Sequence, residues 1–116
     1  MAIPVLVARD LPALVAYYTG VLRFRVVQEV RRVVAVLEHG PLRLQLWQGT
    51  GQGARPCRIR LHGSSTAIFE LHARLARHAR SAMVDRGPML RPWGAWEFSM
   101  FDAQGNHLIF TQRADA

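Results

Sequence analysis

Two hydrophobic periodicities alternate along this chain, and their order occurs twice. The apolar run at 4–8 suits a buried strand, after which Asp10 stands at an N-cap position with Pro12 in the first helical turn. Leu11, Leu14, Tyr18, Val21 and Leu22 then fall three or four apart, which marks one face of a helix. The stretches 24–30 and 33–38 are β-prone and separated by Arg31 and Arg32. After the turn at His39-Gly40-Pro41, Leu42, Leu44 and Leu46 alternate with Arg43, Gln45 and Trp47 in a half-buried strand. The first half thus predicts a strand, a helix and three strands.

The same order follows a glycine-rich joint at 49–56, where Gly49, Gly51 and Gly53 interrupt the pattern. Alternation resumes at 57–62, residues 63–66 offer loop and N-cap chemistry, and Ile68, Leu71, Leu75 and Ala79 mark the buried face of a second helix. Arg74, Arg77, His78 and Arg80 fall outside that face. Residues 83–92 are interrupted by proline and leave room for one short edge strand. Two strands follow, joined by a turn at 102–106 in which Asp102 bonds backbone amides ahead of it and Gly105 or Asn106 accepts positive φ. The expected organisation is α+β: one domain built from a βαβββ module at 1–48, a Gly-rich linker at 49–56 and a second βαβββ module at 57–113.

Composition narrows the function classes. Hydrophobic residues form 50% of the 116 and charged residues 20%, a globular balance. No apolar run is long enough to span a bilayer, and the N-terminus lacks a signal-peptide pattern, so a cytoplasmic protein with no membrane contact is expected. Cys57 is the single cysteine, which excludes an internal disulfide and a cysteine zinc cage. All 15 basic residues are arginine against 8 acidic ones, a net charge of +7 that favours neutral or anionic partners over cationic ones. Arg74, Arg77 and Arg80 along one helix raise nucleic-acid binding as an alternative, but no reading-head motif accompanies them.

The repeated order, with Arg9-Asp10-Leu11, Tyr17-Tyr18, Leu22-Arg23-Phe24, Leu37-Glu38-His39-Gly40, Leu42-Arg43-Leu44, residues 71–75, Pro92-Trp93-Gly94, Glu97-Phe98, Asp102 and Gly105-Asn106, resembles the vicinal-oxygen-chelate superfamily. Within it, the chain looks like the non-metal glyoxalase/bleomycin-resistance branch. The resemblance implies two curved mixed sheets around a ligand groove, and a homodimer. Two departures stand out: Arg23 occupies a position where relatives often have glycine, and Ala103-Gln104 replaces a turn dipeptide that is usually Pro-Asp.

Enzymes of this superfamily hold a divalent ion with His, Glu or Gln from strands of both modules, at about 2.0 to 2.2 Å. Counting from Asp10 and Asp102 puts the first-strand ligand position at Ile3 and the last-strand position at Ile109. The remaining positions offer Leu44 or Gln45, and Cys57 or Arg58. An aliphatic side chain donates nothing to a metal, so no metal or other cofactor is expected and the reading leans away from an enzyme. A metal-dependent lyase or dioxygenase of the glyoxalase or extradiol type is kept as an alternative.

Other catalytic patterns are missing. No nucleophile motif surrounds Ser64, Ser65, Ser81 or Ser99, and Glu38, Glu70 and Glu97 have no evident carboxylate partner for paired acid–base work. His72 and His78 lie about 240° apart around a helix and cannot share one ion. The candidate site is therefore a ligand-binding one without catalytic residues: Trp47, Trp93, Trp96, Glu97, Phe98, His62 and His107. Strand parity sends Trp96, Phe98 and Met100 to one face and Ala95, Glu97, Ser99 and Phe101 to the other, without saying which face meets ligand. The expected activity is sequestration of a small drug or metabolite in an aromatic-lined groove.

Overall fold

The computed structural model describes residues 3–50, 55–63 and 67–114. Strand β1 (Val5–Ala8), helix α1 (Leu11–Gly20) and strands β2 (Arg25–Val30), β3 (Val34–His39) and β4 (Leu42–Gln48) form the first set of elements. Strand β5 (Arg58–His62), helix α2 (Ile68–Ala79) and strands β6 (Met89–Arg91), β7 (Ala95–Phe101) and β8 (His107–Arg113) form the second. The expected joint at 49–56 falls in part, at 51–54, outside the described residues, as do the loop residues 64–66.

Each set makes a four-stranded mixed sheet, in the order β1-β4-β3-β2 and β5-β8-β7-β6. In both, the first strand lies parallel to the last, Val5 opposite Gln45 and Arg58 opposite His107, while the other pairs are antiparallel. The helical crossover makes that parallel pairing feasible, because only a connection of this length can return the chain in the same direction. The two sheets and two helices are an α+β architecture.

The helices cover one face of each sheet. Leu6, Ala8, Ala35, Leu37, Leu44 and Leu46 are buried there in the first sheet, and Leu61, Phe98, Met100, Leu108 and Phe110 in the second, all within one continuous core. Each such leucine or phenylalanine stabilises the fold by about 1.5–3 kcal/mol relative to exposure. On β1 only alternate residues are buried: Val5 is 47% and Val7 38% exposed. The apolar run at 4–8 therefore spans a half-buried strand with valines on its open face.

Local chemistry fixes the ends of α1. The Ala13 amide donates to Asp10 Oδ1 at 3.1 Å, as expected of the N-cap, and the Leu11 amide donates to Gln48 Oε1 at 2.8 Å, a second cap supplied by the end of β4. At the other end Arg23 adopts φ +65°, the left-handed conformation that usually falls to glycine, so the Phe24 amide reaches the Tyr18 carbonyl at 2.8 Å. Helix α2 begins at Ile68, and its N-cap, Ala67, supplies no side-chain hydrogen bond.

The turn between β7 and β8 binds the two halves together. Asp102 is buried, and its Oδ1 accepts the amides of Gln104 and Asn106 at 2.9 Å. Its Oδ2 accepts Asn106 Nδ2 at 2.9 Å and the Tyr18 hydroxyl of α1 at 2.6 Å. Asn106 Oδ1 in turn accepts the Cys57 amide at the entrance to β5. Gln104 reaches back to the other module, donating to the Val7 carbonyl and accepting the Arg9 amide, each at 2.8 Å. The replacement of the usual turn dipeptide thus supplies a clamp across the modules, and Gly105 takes the positive φ of +88° that closes the turn.

Candidate functional site: the open face of the second sheet

Alternation along β5, β7 and β8 raises three rows of side chains on the face turned away from α2. Arg58, His107 and Phe101 form one row, Arg60, Ile109 and Ser99 the next, and His62, Thr111, Glu97 and Met89 the third. Glu97 lies deepest: its side chain is only 5% exposed. Three donors from three segments surround it. Arg60 Nη1 of β5 donates to Glu97 Oε2 at 2.7 Å, the Trp93 indole N–H donates to the same oxygen at 3.2 Å, and Arg91 Nε of β6 lies 3.8 Å from Oε1.

A buried carboxylate without such partners would be costly, and here two guanidinium groups offset the desolvation. The Arg60 guanidinium carbon also sits 5.9 Å from the Trp93 ring centroid, within cation–π range. Trp93 is placed there by the turn between β6 and β7, where Gly94 holds φ +82° and donates its amide to the Arg91 carbonyl. Trp93 remains 62% exposed and the Arg60 side chain 47% exposed, so both present surface to solvent while anchored to Glu97. Asp85 closes one side of the floor by accepting the Ser99 amide at 3.0 Å and lying 3.8 Å from Arg91.

His107 stacks on Phe101 at 4.8 Å between ring centroids. Its Nε2 is buried without a hydrogen-bond partner among the described residues. Burial, reinforced by Arg58 and opposed by Asp85, pushes its imidazole below the ordinary value, favouring the neutral form. His62 is exposed at the end of its row, beside Thr111. On the first sheet Trp47 occupies the corresponding open face, 41% exposed, its indole N–H donating to Gln45 Oε1 at 2.8 Å.

The remaining two expected site residues face the other way. Phe98 is fully buried, stacked on Phe110 at 4.8 Å and edge-on to His72 of α2, and Trp96 packs against Phe69 of α2. The apolar stripe of α2 needs large partners, and the row of Trp96, Phe98 and Met100 supplies them; these residues belong to the core side. Arg60 and Arg91 were not singled out by sequence. For Arg60 the signal was present in the alternation of Arg58, Arg60 and His62 against Ile59 and Leu61, whereas the pairing of Arg91 with Glu97 depends on how the edge strand lies.

Ile109, at the last-strand position, lies opposite Arg60 in the parallel register, and among the described residues no three His, Cys, Asp or Glu side chains converge. Nor is any described helix long and apolar enough to cross a membrane.

No protein-family model matches the chain, and no curated protein matches it in sequence. Solved structures do match. The bleomycin resistance determinant encoded on the transposon Tn5 superposes with a TM-score of 0.76 at 22% identity, over 97% of each chain. The bleomycin-binding protein of Streptomyces verticillus, complexed with copper(II)-bleomycin, gives 0.68 at 27% identity over 96% of this chain and 93% of that one. A lactoylglutathione lyase from Agrobacterium tumefaciens gives 0.68 at 16% identity over 97% and 92%. The chain therefore has the glyoxalase/bleomycin-resistance fold, in keeping with the vicinal-oxygen-chelate superfamily that its motifs resemble.

Proposed function

We propose that the chain binds a small molecule on the open face of the second sheet and sequesters it without chemical change, without a metal, as a cytoplasmic homodimer. The carrying observation is the anchored but exposed Trp93: Glu97 fixes its indole N–H while 62% of the residue stays open to a ligand. An indole held in this way loses little conformational freedom when a planar ligand stacks on it, so more of the stacking energy appears as affinity. Glu97, His62 and His107 complete the proposed site on this face, and Trp47 is a second exposed indole, on the open face of the first sheet beside Val5 and Val7. Bleomycin-binding proteins among the structural neighbours support small-molecule binding as the class of function.

Native mass spectrometry of protein purified from cells, followed by denaturation and analysis of the released small molecules, tests the proposal. An unmodified compound released from the wild type and lost from Trp93→Ala is the expected result. A lactoylglutathione lyase shares the fold, and a metal-dependent lyase is the competing reading. One equivalent of tightly held Ni, Zn, Mn or Fe in the purified protein, or a released compound that changes on incubation with it, decides for the lyase.

A further inference from the structure

We infer that the molecule held on this face is a planar aromatic anion, its ring against Trp93 and its acidic group on Arg60, an inference that rests on the small-molecule binding proposed above. Charge is the first reason. Glu97 is the deep negative group of the face, and Arg60 and Arg91 already approach it, while Asp85 is occupied by Ser99 and by Arg91. Arg58 stands two residues from Arg60 on the same side of β5, exposed, and makes no hydrogen bond among the described residues. A cation entering here meets guanidinium groups whose neutralising carboxylate is buried beneath them. An anion meets their free edges.

Geometry is the second reason. A guanidinium carries five N–H donors in a rigid plane, and Arg60 spends only Nη1 on Glu97. The rest of its fork is aimed by that bond and by the Trp93 ring, ready for a two-point contact with a carboxylate. Glu97 acts as a positioning residue: one oxygen orients both the stacking surface and the anion-binding group. A ligand whose acidic group is joined directly to a flat ring satisfies both at once.

Three probes sharing one ring system separate charge from stacking: naphthoate, naphthamide and naphthylmethylammonium, titrated calorimetrically at neutral pH. The wild type is expected to bind naphthoate about tenfold more tightly than naphthamide, with the ammonium weakest. Arg60→Gln removes that preference, bringing naphthoate affinity down to that of naphthamide, and Arg60→Lys, which keeps the charge but not the fork, falls between. Glu97→Ala lowers naphthoate and naphthamide affinity together, since both the ring and the guanidinium lose their acceptor, with the thermal midpoint reporting that each variant is folded. Equal affinity for the three probes, or preference for the ammonium, overturns the inference and leaves small-molecule binding standing. Failure of all three to bind at millimolar concentration overturns the inference, and small-molecule binding falls with it only if native mass spectrometry of the purified protein also releases no compound.

Discussion

The Tyr18 hydroxyl of α1 donates to Asp102 Oδ2 in the β7–β8 turn at 2.6 Å, joining two modules across 84 residues of chain. Burial, with Asp102 adding to it, drives the Tyr18 phenol well above its ordinary value near 10. The proton therefore stays on tyrosine and the bond keeps its polarity throughout the ordinary pH range.

Tyr18→Phe should cost about 1.5–3 kcal/mol, the range for a hydrogen bond to a charged group, because Asp102 stays buried with one acceptor site unfilled. Urea denaturation checks the magnitude. The same residue sets an alkaline limit: above about pH 10 the unfolded chain releases the phenolic proton while the folded chain retains it, so stability falls as pH rises. Tyr18→Phe should flatten that limb.

Gln104→Ala should cost about 1 kcal/mol and do so locally, since the lost bonds are those to the Val7 carbonyl and the Arg9 amide. Amide hydrogen exchange at Arg9 is expected to accelerate while exchange within β7 and β8 stays close to wild type.

Arg23→Gly should stabilise the protein by about 0.5–1 kcal/mol. Arg23 already holds φ +65°, where its Cβ is strained, and relief of that strain exceeds the extra freedom that glycine gives the unfolded chain. A rise in the thermal midpoint at unchanged ligand affinity is the expected outcome.

Acid should destabilise the fold through His39 and His107. Burial leads the lowering of both, with Arg74 contributing at the first and Arg58 at the second. At pH below about 6.5 the unfolded chain binds protons that these folded sites resist, so stability falls as pH drops through that region. Comparing urea midpoints at about pH 7.5 and about pH 5.5 should show the loss, and His39→Gln should reduce it.

How far the sequence reveals the molecule depends on the kind of information each residue carries. Leu42, Leu44 and Leu46 alternate so cleanly with polar neighbours that strand and buried face follow together, and the spacing of Leu11, Leu14 and Tyr18 does the same for α1. On β7 both faces carry large apolar residues, so parity alone could not decide between Phe98 and Phe101; the choice is made by α2, whose position is a tertiary fact. The approach of Trp93 to Glu97 depends on a turn folding back over the sheet at Gly94, which no periodicity records. Gln104 was the least legible of all, since a flexible amide reveals its partners only when another module stands beside it.

Strand β8 is an interior strand of its sheet, flanked by β5 and β7. β5 and β7 therefore have no pairing with each other, and the sheet is joined only through β8. The partners of Tyr18 and Val7 of the first module lie in the turn that immediately precedes β8. The second sheet is thus completed only when β8 pairs, and until then β5 and β7 carry unpaired edges that invite association with other chains.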